Sequence, residues 1–422
     1  MSPDRFPDLG VSHALLLQGP AGPFMRRFAS ELEAEGIAVT KVNFHAGDVF
    51  FFRGPDAIAF RGTFEEWPEF VEALIEERGV DGVFAFGDCR PLHRVAFEVA
   101  RRRGARVWAL EEGYLRPDWF TLEEHGVNGN SQMPRDPAFY RALDLPEPPE
   151  PVDVGPRFHL TSWYSTLNAL VFTHLNGGFP HYQHHRNLNA WYHTFVWCRN
   201  VVRKRRYAWQ ERGMIERFAG PLSGRYFLVP LQVHCDFQIL HSPYEDVLEF
   251  VEEVLETFAA KASPDDHIVF KHHPMDRAYR EYGALFVELA RRHGLEGRLH
   301  YCHDLHLPTL LKHAKGTLTI NSTVGLSSMH HGTPVKCTGT AVYDMPGLTH
   351  QGTVEAFLHA PGQVDADLYH RFRRYLLHVN QVNGSFYKRP PGARRFTGAR
   401  WFPGLPARAA HSRPARTPGS TR

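Results

Sequence analysis

Three polar segments in the second half of the chain each follow a short apolar run: QVHCDFQI (232–239) after RYFLVP, KHHP (271–274) after HIVF, and NSTVG (321–325) after TLTI. Polar residues just past strand ends are where open α/β sheets bind their ligands. Asp236 offers a carboxylate that can serve as nucleophile or base, or can close a turn; Gln232 opens the same segment as a candidate substrate contact. Lys271, His272 and His273 sit where the strand ends. A histidine fixed by the following Pro274 can donate to a phosphate and stabilise a departing nucleotide, or can be a hydrogen-bonded rim residue. Ser322 and Thr323 bring hydroxyls to a helix start, with Gly325 permitting close approach. That arrangement makes an anion site or a plain N-cap.

The first half supplies two more polar strand ends. FGDCRPLHR contributes Asp88, Arg90 and His93, and ALEEGYLRPDW contributes Glu111, Glu112, Arg116 and Asp118. Side chains alternate faces along a strand, so one of Glu111 and Glu112 is expected to face a cleft. It is a candidate base for an acceptor hydroxyl, or a surface acid paired with Arg116. QGPAGP (18–23), which includes Gly19, and NFHAGD (43–48) are two further glycine-containing turns after strands. No GxGxxG fingerprint, P-loop, HExxH, CxxC pair or GxSxG elbow is present. The histidine doublets point neighbouring rings in different directions, so no metal site is expected.

The elements that must carry these residues alternate in period. Strand patterns at 13–19, 37–44, 80–88 and 105–113 are separated by helical patterns at 24–35, 64–78 and 91–104, with a short AIAF strand between. This is βαβ repetition, the mark of a parallel sheet covered on both faces. Residues 1–150 are therefore expected to form a first Rossmann-type domain. Residues 151–222, opening on LPEPPEPVDVGP and rich in aromatic and histidine residues, break the pattern and read as a partly helical bridging region. A second α/β domain is expected over 223–365. In it Ser242, Pro243 and Glu245 suggest a capping box, and Val247, Leu248, Val251, Val254, Leu255 and Phe258 form an apolar stripe. A helical segment is expected over 366–402 and a disordered basic tail over 403–422. The fold class is α/β, with two doubly wound domains facing a central cleft.

Composition sets the outer bounds. The 422 residues are 43% hydrophobic and 22% charged, ordinary for a soluble globular protein. No apolar run approaches the ~20 residues of a membrane span, and the first residues lack a secretory pattern. Five scattered cysteines (Cys89, Cys198, Cys235, Cys302, Cys337) form no disulfide framework, which suits a reducing cytoplasm. The net charge of +2 includes seven arginines and no acid in residues 391–422, so the remainder is mildly acidic. Nucleic acid is not an expected partner. The basic, aromatic stretch 178–206 and the arginine-rich tail can instead bind an anionic lipid surface, or 178–206 can be an internal bridge.

Taken together and in order, QGPAGPF, NFHAGD, FGDCRPLH, EEGYLRPDWFTLE, GVNGNS, LQVHCDFQI, KHHP and NSTVGLSSMHHGTPV resemble the KpsS/LipB capsule polysaccharide biosynthesis proteins of Gram-negative bacteria. Matching motifs run from about residue 15 to 387, most of the chain. The family is similar to the β-Kdo glycosyltransferases that include KpsC. The resemblance implies a GT-B-like enzyme that moves Kdo from CMP-Kdo, with retention and without a metal, to a phosphatidylglycerol-type lipid at the inner membrane. It implies peripheral membrane association and work beside capsule assembly proteins such as a KpsC-like transferase. By the same resemblance Asp236 falls where a covalent Kdo adduct forms, His273 and Pro274 match a nucleotide-phosphate motif, Ser322 and Thr323 lie near the CMP, and Glu111 or Glu112 is the acidic position of the acceptor domain. Cys235 and Phe237 flank Asp236, where the resemblance leads one to expect more polar neighbours. The alternatives are a non-catalytic scaffold of the export complex and a GT-B-like enzyme that uses another nucleotide sugar.

Overall fold

The computed structural model describes residues 6–148, 150–184 and 186–401. The tail expected at 403–422 lies outside them. The first lobe runs β1 (His13–Leu16), α1 (Phe24–Ala34), β2 (Ala38–Asn43), α2 (Ala46–Phe51), β3 (Ala57–Ala59), α3 (Trp67–Arg78), β4 (Gly82–Phe86), α4 (Pro91–Arg102), β5 (Arg106–Glu112) and β6 (Trp119–Glu124). A connecting region follows with α5 (Pro137–Ala142), α6 (Phe158–Leu175), α7 (Ala190–Gln210) and α8 (Met214–Ala219). The second lobe holds β7 (Tyr226–Pro230), α9 (Val247–Lys261), β8 (His267–Lys271), α10 (Gly283–Arg292), β9 (Leu299–Cys302), α11 (Leu307–His313), β10 (Gly316–Thr319), α12 (Val324–His330), β11 (Val335–Cys337) and α13 (Val354–His359). Last come α14 (Ala366–Val379) and β12 (Gln381–Asn383).

Sheet order explains where ligands can go. The first sheet reads β12-β6-β5-β4-β1-β2-β3 and the second β11-β10-β7-β8-β9. All pairs of the second sheet, and those joining β5, β4, β1, β2 and β3, are parallel. In each lobe the winding direction reverses beside the first strand, between β1 and β4 and between β7 and β10. That reversal opens the crevice at the strand C-termini.

Both faces of each sheet are covered, which is why the strands read as near-continuous apolar runs. On β1, Leu15 joins the cluster under α3 and α4, as does Leu17 just past its end, while Ala14 and Leu16 join Phe24, Phe28, Phe386 and Trp401 on the other side. On β7, Phe227 and Val229 pack with the α9 stripe, and Tyr226 and Leu228 with Phe218 and Leu310.

Three expectations change. The stretch 366–402 is helical only over α14; β12 then pairs antiparallel with β6, so the chain's last described segment returns to the first sheet. Glu31 anchors it there, accepting from the Thr397 amide at 2.9 Å and from the Trp401 indole at 3.0 Å. The cap of α9 is Asp246, not Ser242. Its carboxylate accepts from Leu248 and Glu249 amides at 2.7 and 3.1 Å, and Glu249 accepts from the Glu245 amide at 2.7 Å. Ser242 instead closes the preceding turn on the Ile239 carbonyl. Third, α3 begins at Trp67 rather than near 64.

The lobes are stapled at the back of the cleft by Asn128, a buried residue with φ of 49°. Its amide donates to the Asn321 carbonyl and its oxygen accepts from the Val342 amide, both at 3.1 Å. Asn128→Ala removes both bonds and places alanine at a left-handed φ. Loss of about 2–4 kcal/mol is expected, from two buried hydrogen bonds and local strain, read by chemical denaturation. Unchanged stability would mean that the two lobes do not rely on this staple.

Candidate active site

A cleft of about 810 Å³ lies between the lobes and is bounded by residues from both, together with α6 and α7. It gathers the ends of β1, β2, β4 and β5 opposite the segments after β7 and β8. Of the residues singled out in the sequence, Asp236, Glu111, Glu112, His273, Pro274, Arg90, Arg116 and Gly19 border it. Gln232, Lys271, Asp88, Ser322, Thr323 and Gly325 do not.

Asp236 heads a 3-10 turn (Phe237–His241). One carboxylate oxygen accepts from the Gln238 amide and the other from the Gln232 side chain, each at 3.0 Å. Gln232 in turn donates to the Asn321 side chain at 3.1 Å, across the gap between β7 and β10. Asn321 also donates to the Gln238 carbonyl at 2.7 Å. Gln232 is therefore a positioning residue: buried, it fixes the carboxylate and leaves the cleft to Asp236. The first lobe repeats the device. Arg90, past β4, donates to Gln18, past β1, at 3.1 Å, and Gln18 donates to the Tyr182 hydroxyl at 2.8 Å.

Glu111 and Glu112 both border the cleft, which corrects the expectation that only one faces it. The void wraps around the end of β5. Glu111 turns toward β4, where a Cβ built on Gly87 would stand 3.5 Å from its carboxylate. Glu112 turns toward the segment entering α6 and lies 3.7 Å from the Arg157 guanidinium. Burial raises Glu111 to about 7, with Glu112 and Asp236 adding to the rise and Arg90 and the Glu112 amide opposing it. A carboxyl poised near neutrality is suited to proton transfer.

His273 accepts from the Met275 amide at its Nδ1, 3.1 Å away. The neutral ring then carries its proton on Nε2. Burial, aided by the charges of Lys271 and Arg116 and opposed by Asp276, lowers its pKa to about 4. It is a neutral donor at pH 7, and Arg116 supplies the charge beside it.

The remaining candidates have other work. Lys271 is buried and donates to the His303 carbonyl at 3.0 Å, tying β8 to the loop after β9. Asp88 is buried and accepts from the Val127 amide at 2.9 Å and the Asn130 side chain at 2.8 Å, holding the turn that carries Asn128. The Ser322 hydroxyl accepts from the Val324 amide at 3.3 Å in the turn before α12, while Thr323, at the N-cap position itself, makes no side-chain capping bond. Gly325 is required by packing rather than by a ligand, since a Cβ there would stand 2.1 Å from the Tyr343 hydroxyl. The first polar side chain after β10 to act is Asn321, and it reaches Asp236 only through Gln232.

Several cleft residues escaped sequence reasoning. Arg157 and Arg186 come from the irregular region, which offers no periodic signal. Arg277 lies three residues past Pro274 and donates from Nε to Asn200 of α7 at 2.9 Å. Buried Lys41 and His45 and part-buried Asp48 form a charged group from β2 and the NFHAGD turn. Burial brings Lys41 down to about 8, while Asp48 raises it. Seven cations (Arg26, Lys41, Arg90, Arg116, Arg157, Arg186, Arg277) and four carboxyls (Asp48, Glu111, Glu112, Asp236) border the cleft. That surplus attracts an anionic ligand. Among the described residues no cluster of His, Cys, Asp or Glu is arranged to hold a metal ion.

Two α/β lobes of Rossmann-like strand order, with their reactive side chains gathered at both crevices, define a GT-B-like protein. The chain belongs to the capsule polysaccharide biosynthesis family, whose description "Capsule polysaccharide biosynthesis protein" matches residues 81–387. It is 42% identical to the capsule polysaccharide export protein KpsS of Escherichia coli over 88% of this chain and 96% of that protein. It is 38% identical to the capsule polysaccharide modification protein LipB of Neisseria meningitidis serogroup B over 89% of this chain and 92% of that one. Among solved structures it aligns with the Thermosulfurimonas dismutans KpsC beta Kdo 2,7 transferase at 15% identity and a TM-score of 0.39, over 86% of this chain and 98% of that one.

Proposed function

We propose that this protein is a retaining glycosyltransferase that moves Kdo from CMP-Kdo to a phosphatidylglycerol-type lipid at the inner membrane, beginning the linker of a capsular polysaccharide. The reading rests on family membership, on the motif resemblance, and on one observation: Asp236, Glu111 and His273 border a single cleft lined by an excess of cations.

The chemistry follows from the sugar. The anomeric carbon of Kdo bears a carboxylate and has no hydroxyl on its neighbouring ring carbon, so an oxocarbenium-like transition state is accessible as CMP departs. Asp236 attacks that carbon and the bond to the phosphate oxygen breaks. The electron pair leaves on CMP, steadied by the His273 Nε2–H and the charge of Arg116. The resulting ester is then displaced by the acceptor hydroxyl, whose proton passes to Glu111, and Asp236 is released as a carboxylate. Two inversions give retention, as in glycosidases that use a carboxylate nucleophile. The two bonds to Asp236 orient it without occupying all of its lone pairs.

The direct test is incubation with CMP-Kdo and a short lysophosphatidylglycerol, followed by mass spectrometry of lipid and protein. The expected result is a lipid heavier by one Kdo residue and, with donor alone, a protein heavier by one Kdo at the peptide containing Asp236. Turnover with a UDP-sugar and none with CMP-Kdo would overturn the donor assignment.

A further inference from the structure

Nine of the sixteen exposed large apolar side chains in the described structure fall on α6 and α7: Phe158, Trp163, Leu170, Leu175, Trp191, Phe195, Val201, Val202 and Trp209. These helices pack against one another as a hairpin and span about 27 and 31 Å at 1.5 Å per residue. Isolated exposed apolar residues need no explanation, but a concentration of this kind marks an interaction surface.

The pattern on α7 is ordered. Trp191, Phe195, Cys198, Val202 and Trp209 recur at intervals that keep them within roughly 40° of one line along the helix, and Arg205 shares that line. Trp191 is 75% exposed and Trp209 66% exposed, one at each end of the stripe. On the opposite side of the same helix, His193, Val196, Trp197 and Asn200 border the cleft. One helix thus carries the cleft wall on one face and, among the described residues, an exposed aromatic stripe on the other.

Charge identifies the partner. Residues 158–210 contain six Arg or Lys and no Asp or Glu, in a chain with 46 acids. Arg199, Lys204, Arg205 and Arg206 lie on α7 with the stripe, and a fifth cation, Arg203, is committed to the Arg277 and Arg280 carbonyls at 2.7 and 3.1 Å. A second copy seated on this face would bring two acid-free cationic helices together, a repulsive arrangement. Tryptophans at both ends, an apolar line between them and flanking cations are instead the composition of helices that lie in the interface of an anionic bilayer.

We infer that the α6–α7 hairpin docks this protein on an anionic phospholipid surface, leaving the cleft about one helix diameter, roughly 10 Å, above the headgroups. The inference extends the proposed lipid acceptor, but its test requires no turnover.

The full chain is floated with vesicles of phosphatidylcholine alone and of phosphatidylcholine with 30% phosphatidylglycerol. Binding to the anionic vesicles is expected to exceed binding to the neutral ones at least tenfold. The triple variant Trp191→Ser, Phe195→Ser, Val202→Ser, and separately the double variant Arg205→Glu, Arg206→Glu, should each lose at least tenfold of it. Both should keep the wild-type melting temperature and wild-type turnover of a soluble short-chain acceptor. Failure of the wild-type chain to float with anionic vesicles overturns the inference, as does wild-type binding by the triple variant. A dimer in solution that the triple variant converts to monomer assigns the face to a second copy and overturns it too. A chain that binds vesicles but does not use CMP-Kdo leaves the docking surface standing and removes only the proposed donor.

Discussion

Asp236→Asn yields a folded protein whose turnover falls by roughly 10⁴-fold or more, the scale seen when a nucleophile is removed. Folding is expected to survive because asparagine caps a helical turn about as well as aspartate. Its oxygen can still accept from the Gln238 amide, 3.0 Å from the present carboxylate. The second bond does not survive. Gln232 now donates to the other carboxylate oxygen, and its orientation is fixed by Asn321. An amide nitrogen there meets a donor with a donor, at a cost of about 1 kcal/mol. The catalytic loss is of a different order, because a neutral amide cannot displace CMP. Three measurements separate these effects: the thermal transition, the rate with CMP-Kdo, and the mass of the protein after exposure to donor alone. The expected outcome is a near-normal transition, no measurable rate and no Kdo on the protein. A variant that retains a tenth of the activity would remove Asp236 from the chemistry.

The residue pattern revealed the lobes more readily than their joints. The strands β1 to β5, β7, β8, β10 and β11 announce themselves as short apolar runs, and on the inner ones both faces are buried, as the split of Leu15 from Ala14 and Leu16 on β1 illustrates; the half-exposed edge strand β9 carries no such run. β12 did not, because three residues carry no periodicity and their partner strand lies some 260 positions earlier in the chain. Ser242 and Asp246 both begin a sequence with a glutamate three residues on. The cap falls to Asp246 because the buried stripe starts at the next residue, Val247. Asp236 and His273 could be found because each follows a strand whose end is legible. Arg157 and Arg186 could not, since their positions depend on how an irregular region folds back over the cleft. Gln232 and Asn321 were visible as polar residues at strand ends, but their bond across the β7–β10 gap is a property of sheet order. Burial is also invisible locally: nothing in KHHP tells that the ammonium of Lys271 is spent on the His303 carbonyl.

Glu111→Gln should separate catalysis from stability in opposite directions. As the base that takes the acceptor proton, Glu111 is active only as a carboxylate. Burial sets its pKa at about 7, so the wild-type rate should rise with pH through that region and level off above it. Glutamine removes the base, and the rate of the second step is expected to fall roughly 10²–10⁴-fold, with the limb near pH 7 gone. The adduct at Asp236 still forms in this variant and now accumulates, because its formation needs no base. Stability moves the other way. A carboxyl whose folded pKa lies above its unfolded value favours the fold fully below the unfolded pKa, near 4.5, and loses that contribution as pH rises through about 7. At pH 8 the charged form sits in a site that disfavours it, with Glu112 and Asp236 nearby. Glutamine carries no such charge, so Glu111→Gln should be more stable than wild type at pH 8 by an amount on the order of 1 kcal/mol, discounted for partial exposure. At pH 4 the two should melt alike. Loss of activity with no gain at alkaline pH would mean that Glu111 is not the strained group. A stability gain with the rate intact would move the base to Glu112, whose neighbour Arg157 holds it 3.7 Å away.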